Sequence, residues 1–175
     1  MIKELRNLLV KGINVETNLQ VVPTDSNNKK PEYPYYSFKF ISLRKNVGEG
    51  GVFEESFDKS LDPRFKYDVK NTIKFQPEVI MSFNCYSDDE WECEDFILKA
   101  FEWFRLKGKR LLALKNIVVV DVGDIGDRTI LLVDNYEYRK GFDVKFRVLH
   151  EFSDRSETIE EHKINGKIEG GRKWY

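Results

Sequence analysis

The chain has 175 residues, 41% of them hydrophobic and 14% aromatic, enough to bury one domain core with length left for an arm. Its 29 Lys and Arg against 30 Asp and Glu leave a formal net charge of -1, which argues against a protein that coats nucleic acid, and no basic run marks a local patch. Two cysteines cannot build a disulfide framework, and Lys3, Glu4, Arg6 and Lys11 interrupt the apolar stretch a signal peptide needs. No window approaches the ~20 apolar residues of a membrane span, so a soluble protein of a reducing cytosol is expected.

Ile2, Leu5, Leu9 and Ile13 recur at spacings of three and four, which predicts a short amphipathic helix over 2–13 with Gly12 and Asn14 as stop signals. "PTDSNNKKPEYP" (23–34) is a polar, proline-flanked loop. "YPYYSFKFISL" (33–43), with Tyr36, Phe38 and Phe40 alternating with Ser37 and Lys39, reads as a strand. Residues 44–67 have glycines and no sustained period, and are expected to form a long inter-strand loop.

From Ile73 to Tyr86 the odd positions are apolar and the even ones mostly polar, the pattern of a half-buried antiparallel strand. Pro77 within it signals an edge or a bulge. Over 88–107 the period changes: Cys93, Phe96, Ile97, Ala100, Trp103 and Phe104 form one stripe of a helix that Gly108 should end, with Asp95 and Lys99 paired on its outer face. "KRLLALKN" adds a turn or two.

"IVVVDV" (117–122) and "TILLV" (129–133) read as strands flanking the acidic turn "GDIGD", and 136–152 as one further alternating strand. In that strand Tyr136, Tyr138, Phe142, Val144, Phe146, Val148, His150 and Phe152 share a face. Asn165-Gly166 in the hydrophilic tail is the preferred two-residue hairpin turn. The expected fold is α+β: an antiparallel sheet packed by one main helix, with a short N-terminal helix and a C-terminal arm. Residues 1–152 make one domain and 153–175 the arm, whose order is expected to depend on assembly.

"FNCYSDDEWECED" (83–95) concentrates both cysteines and six carboxylates, so it is the first candidate for metal or redox chemistry. Strand and helix registers point Cys85 and Cys93 inward, where free cysteine behaves as a small hydrophobe. His150 and His162 have no ligand spacing to them. Ser87 and Glu90 fit a capping box, and the remaining acids sit at the positive end of the helix dipole. "GEGG" (48–51) lacks the Lys-Ser or Lys-Thr of a phosphate loop, and Asp121, Asp124 and Asp127 lack the spacing of a calcium loop. No catalytic, cofactor or metal residue is assigned.

The order of these elements resembles the phage neck or tail terminator proteins of tailed bacteriophages and prophages. The resemblance covers roughly residues 30–165. It rests on Gln76-Pro77-Glu78 before the long strand, Tyr86-Ser87-Asp88-Asp89 at the helix start, and Arg139 with Phe142-Asp143-Val144 in the last strand. It implies a structural virion protein of the tail or neck, assembled in the host cytoplasm. Such a protein forms a ring, usually of six subunits, on the tail tube and presents a surface to the head connector, and DNA passes through it unread. Phe53, Phe57, Phe65, Trp174 and Tyr175 are the expected assembly contacts. A head-closure or other tail-completion protein is the nearest alternative. A small α+β enzyme or ligand-binding domain using His150 and the acidic loops is the distant one.

Overall fold

The computed structural model describes residues 2–46, 48 and 50–157. The chain divides into two compact units, one of residues 1–51 and 74–150, the other of residues 52–73 with those from Glu151 onward.

The first unit is built on a twisted sheet in the order β1-β2-β5-β9-β6: Val21–Pro23, Tyr35–Lys45, Glu78–Ser87, Tyr136–Val148 and Ile117–Val122. β1 runs parallel to β2, and the other neighbours on this path are antiparallel. The central pair, β5 and β9, keeps unbroken register from Glu78↔Arg147 to Ser87↔Tyr138. Three helices cover one face: α1 (Ile2–Thr17), α2 (Glu90–Arg105) and α3 (Lys107–Ala113). The core lies between them and the odd positions of β5. Val79, Met81, Phe83 and Cys85 are fully buried there, as the period-two reading requires. From α2 come Cys93, Ile97, Ala100, Trp103 and Phe104, from α1 Leu5, Leu9 and Ile13. Phe104 stacks edge-on or tilted against Phe83, Trp103, Phe142 and Phe146, so one ring joins α2 to two strands.

Several boundaries differ from the sequence expectation. α1 continues a turn past Gly12 and Asn14 and ends where Asn18 adopts φ 59. Gly12 does not stop the helix. A Cβ there would lie 2.3 Å from Trp103, and one at Gly108 would lie 2.5 Å from the opposite part of the same ring. The two glycines let α1 and α3 close on a tryptophan. Gly108 is therefore inside α3, and the break between helices falls at Leu106 (φ -124, ψ -80). Asp95 and Lys99 form no ion pair; Lys99 lies over the Phe96 ring instead, 4.7 Å from its centroid.

The expected long strand from Ile73 is two strands. Tyr67–Phe75 (β4) and β5 are separated at Gln76-Pro77, because proline has no N–H to give the ladder. The Pro77 carbonyl accepts the Val148 N–H at 3.2 Å and so marks the corner. The acidic turn "GDIGD" is not a hairpin between neighbours either. β6, Gly126–Asp127 (β7) and Ile130–Leu131 (β8) all pair with β9 in succession, like one interrupted strand, and the true hairpin turn lies at 132–135. The expected strand 136–152 also divides, at Leu149, into β9 and His150–Glu157 (β10).

The second unit is a three-stranded sheet in the order β10-β4-β3, with β3 at Val52–Lys59. Part of the expected 44–67 loop is thus strand. Its residues alternate no apolar face because every one of them in β3 except half-buried Asp58 is exposed. The Asn165-Gly166 hairpin lies outside the described residues.

Candidate functional site

The junction "FNCYSDDEWECED" is built as a structural joint. Cys85 and Cys93 are both free and buried, and Cys93 Sγ lies 3.6 Å from the carbonyl oxygens of Cys85 and Tyr138. Their shared hydrogen bond and then burial push the Cys85 thiol up, away from the reactive thiolate. The N-cap is Asp89, not Ser87: its carboxylate accepts the Glu92 N–H at 2.8 Å. Ser87 still ends β5, paired with Tyr138. Its hydroxyl accepts the Asp89 N–H at 3.1 Å and donates to Glu92 Oε2 at 2.7 Å.

Two further acids of this stretch, Glu90 and Glu94, have a partner that sequence spacing did not show. Lys140, 9% exposed, sits in β9 beside Cys85 and meets Glu94 and Asp127 at 3.4 Å and Glu90 at 3.7 Å. Helix start and acidic loop are joined through that single ammonium. Burial works against the Lys140 charge, yet hydrogen bonds to Asp127 and Glu94 raise its pKa.

Two further polar clusters lie on the sheet. Arg128 crosses β9 at Gly141, donating to Ser82 Oγ and Asn84 Oδ1 at 2.6 Å and to Asp143 at 3.1 Å. A Cβ on Gly141 would stand 2.3 Å from Asn84 Oδ1 and 2.9 Å from the guanidinium, so only glycine allows the crossing. The second cluster surrounds Glu137, 4% exposed in a register where sequence alternation places it outward. Lys30 and Tyr33, from the polar loop, and Arg139 all donate to its carboxylate. Burial opposes the Glu137 charge, but hydrogen bonds from Lys30, Arg139 and Tyr33 outweigh it and hold the carboxyl below its ordinary range. Arg139 also lies over Tyr86, which stacks on Tyr35 at 4.8 Å. Lys30, Tyr35, Tyr86, Glu137 and Arg139 line a cavity of about 390 Å3.

Of the expected assembly residues, Phe53 and Phe57 are 58% and 64% exposed on β3, two positions of one strand face. Phe65 is half-buried in the 60–66 turn, with Arg64 over its ring. Trp174 and Tyr175 lie outside the described residues. His150 is half-buried at the start of β10; Asp127 meets Lys140 and the Thr129 amide, Asp121 meets Lys145, and Asp124 is exposed. Among the described residues no three His, Cys, Asp or Glu side chains converge as metal ligands.

What sequence reasoning missed is the long-range pairing: Lys30 with Glu137, Arg128 with β5, Lys140 with α2. Spacing gave no signal for Glu137: it falls on the polar side of its strand, and Lys30 and Tyr33, which meet its carboxylate, come from a loop more than 100 residues away.

The fold offers edges and apolar surface for assembly, and its buried charges are bound into the architecture. A comparison with curated proteins gives no match. A family model described as phage neck terminator protein matches residues 1–172, nearly the whole chain. The chain belongs to that family of structural phage neck proteins.

Proposed function

We propose that copies of this chain close into a ring, of six subunits, which ends the tail tube and joins it to the neck and head connector, with DNA passing through unread. The observation that carries this reading is the family match over residues 1–172. A closed ring needs head-to-tail contacts between two different faces of each subunit. The exposed phenylalanines of β3, an outer strand of the smaller sheet, support such contacts. Near-balanced charge suits a wall past which DNA must slide. The role is architectural; residues 153–157, expected in the C-terminal arm, belong to β10.

The test is negative-stain microscopy and light scattering of the full-length protein, alone at rising concentration and with the tail tube protein. Closed rings of six are expected. A strict monomer that never binds tube ends overturns the reading. Deleting the gene separates the nearest alternative: overlong tails support a terminator, whereas normal tails with heads that leak DNA indicate head closure.

A further inference from the structure

The turn between β8 and β9 is a formed, apolar projection. Of the seven residues 130–136, five are large hydrophobics with substantial exposure, among them Leu131 at 68% and Val133 at 98%. The turn is held in shape by the Leu131↔Tyr136 pair and by the Leu132 N–H, which donates to the Asn135 carbonyl at 2.8 Å. Asp134 at its tip is exposed and forms no ion pair among the described residues. An ordered turn that presents leucine and valine to water loses hydrophobic free energy unless something covers it.

The same unit carries a matching groove. Two adjoining depressions of about 480 and 390 Å3, between α1 and β1–β2, share Arg6, Pro23 and Phe38. Val10, Pro23, Phe38 and Phe40 make an apolar floor. Lys3, Arg6 and Lys11 stand on the rim, none of them in an ion pair among the described residues, and the one carboxylate there, Asp25, is already paired with Lys39 at 2.8 Å.

We propose that this groove receives the β8–β9 turn of a second copy of the chain. Leu131, Leu132 and Val133 enter the apolar floor, and Asp134 meets the basic rim. Charge and apolar complementarity together point to this occupant: beside its exposed leucines and valine the turn carries Asp134, and the rim carries Lys3, Arg6 and Lys11, none of these four in an ion pair among the described residues. Turn and groove are different surfaces, so the contact is heterologous and continues from copy to copy, as a ring requires. A turn of this size buries less than the roughly 800 Å2 per partner of a standard interface, so a single contact is weak and gains strength when the ring closes. The inference rests on the ring reading and names one of its contacts.

Full-length Val133→Cys and Asn7→Cys proteins, mixed under oxidised glutathione, test it on a non-reducing gel. Asn7 lines the groove and is exposed, and both native cysteines are buried. A disulfide-linked dimer that forms in the mixture, and not with either variant alone, is expected. Val133→Asp should weaken self-association about ten-fold with an unchanged circular dichroism spectrum. Arg6→Asp should weaken it too, and adding Asp134→Arg should restore it. Intact rings without the cross-link overturn this contact and leave the ring reading standing. So do Val133→Asp rings that are normal but no longer bind the tail tube, because the turn then serves another protein. A monomeric wild type that also gives no cross-link overturns both.

Discussion

The two sheets of this protein solve the folding problem differently. In the larger one, β5 and β9 pair without a slip over ten residues each and put Phe83, Phe142 and Phe146 beneath Phe104 of α2, all fully buried. In the smaller one, β3 has no fully buried residue, and the buried positions of β4 are polar, Asp68 and Thr72. Asp68 accepts the Leu61 N–H, and Arg155 of β10 reaches Asp58 of β3 at 3.0 Å. The larger sheet is stabilised by apolar burial, whereas the smaller one is held by ladder bonds and polar ties while Phe53, Phe57 and Phe152 are exposed.

Three changes test that contrast. Phe104→Ala removes the ring shared by α2 and the two central strands, and it should lower the unfolding free energy by about 4 kcal/mol in urea titrations. A loss below about 1 kcal/mol would mean the core does not depend on that joint.

Glu137→Gln should cost about 2 kcal/mol at neutral pH, discounted because Lys30 is half exposed. The folded carboxyl is held below its ordinary value, so its contribution is complete above the ordinary carboxylate pKa of about 4.3 and is lost as pH falls toward the lower folded value. The gap between wild type and Glu137→Gln should therefore narrow below about pH 4. A gap that stays constant from pH 7 to pH 3 contradicts the ion cluster.

Phe57→Ser should change monomer stability by less than about 0.5 kcal/mol, since the side chain already faces water, while reducing assembly. If it unfolds the protein as Phe104→Ala does, the smaller sheet has a core of its own and the contrast fails.

Legibility followed periodicity. The buried faces of β5, α2 and the second half of β9 could be read from spacing because each is a local repeat against one core. In the acidic junction Cys85 and Cys93 are buried as their registers predict, whereas the cap is Asp89 and not Ser87, because Ser87 remains in the β5 ladder. Strand ends were read too generously at Pro77 and Leu149, where the chain leaves one sheet for the other without breaking its alternation. β3 was invisible for a different reason: a strand exposed on both faces carries no hydrophobic period to detect.

By itself the sequence determined the α+β class, the inward cysteines, the helix stripe and the order of elements that marks a phage neck terminator. These are local properties, set by which side chains recur on one face. Only the tertiary structure decided that Lys30 neutralises a carboxylate 107 residues away, that Lys140 gathers the acids of two segments, and that leucines after the acidic loop stand on a projecting turn. A charge's partner and an apolar residue's exposure depend on what the folded chain brings beside them, and spacing along the chain does not carry that information.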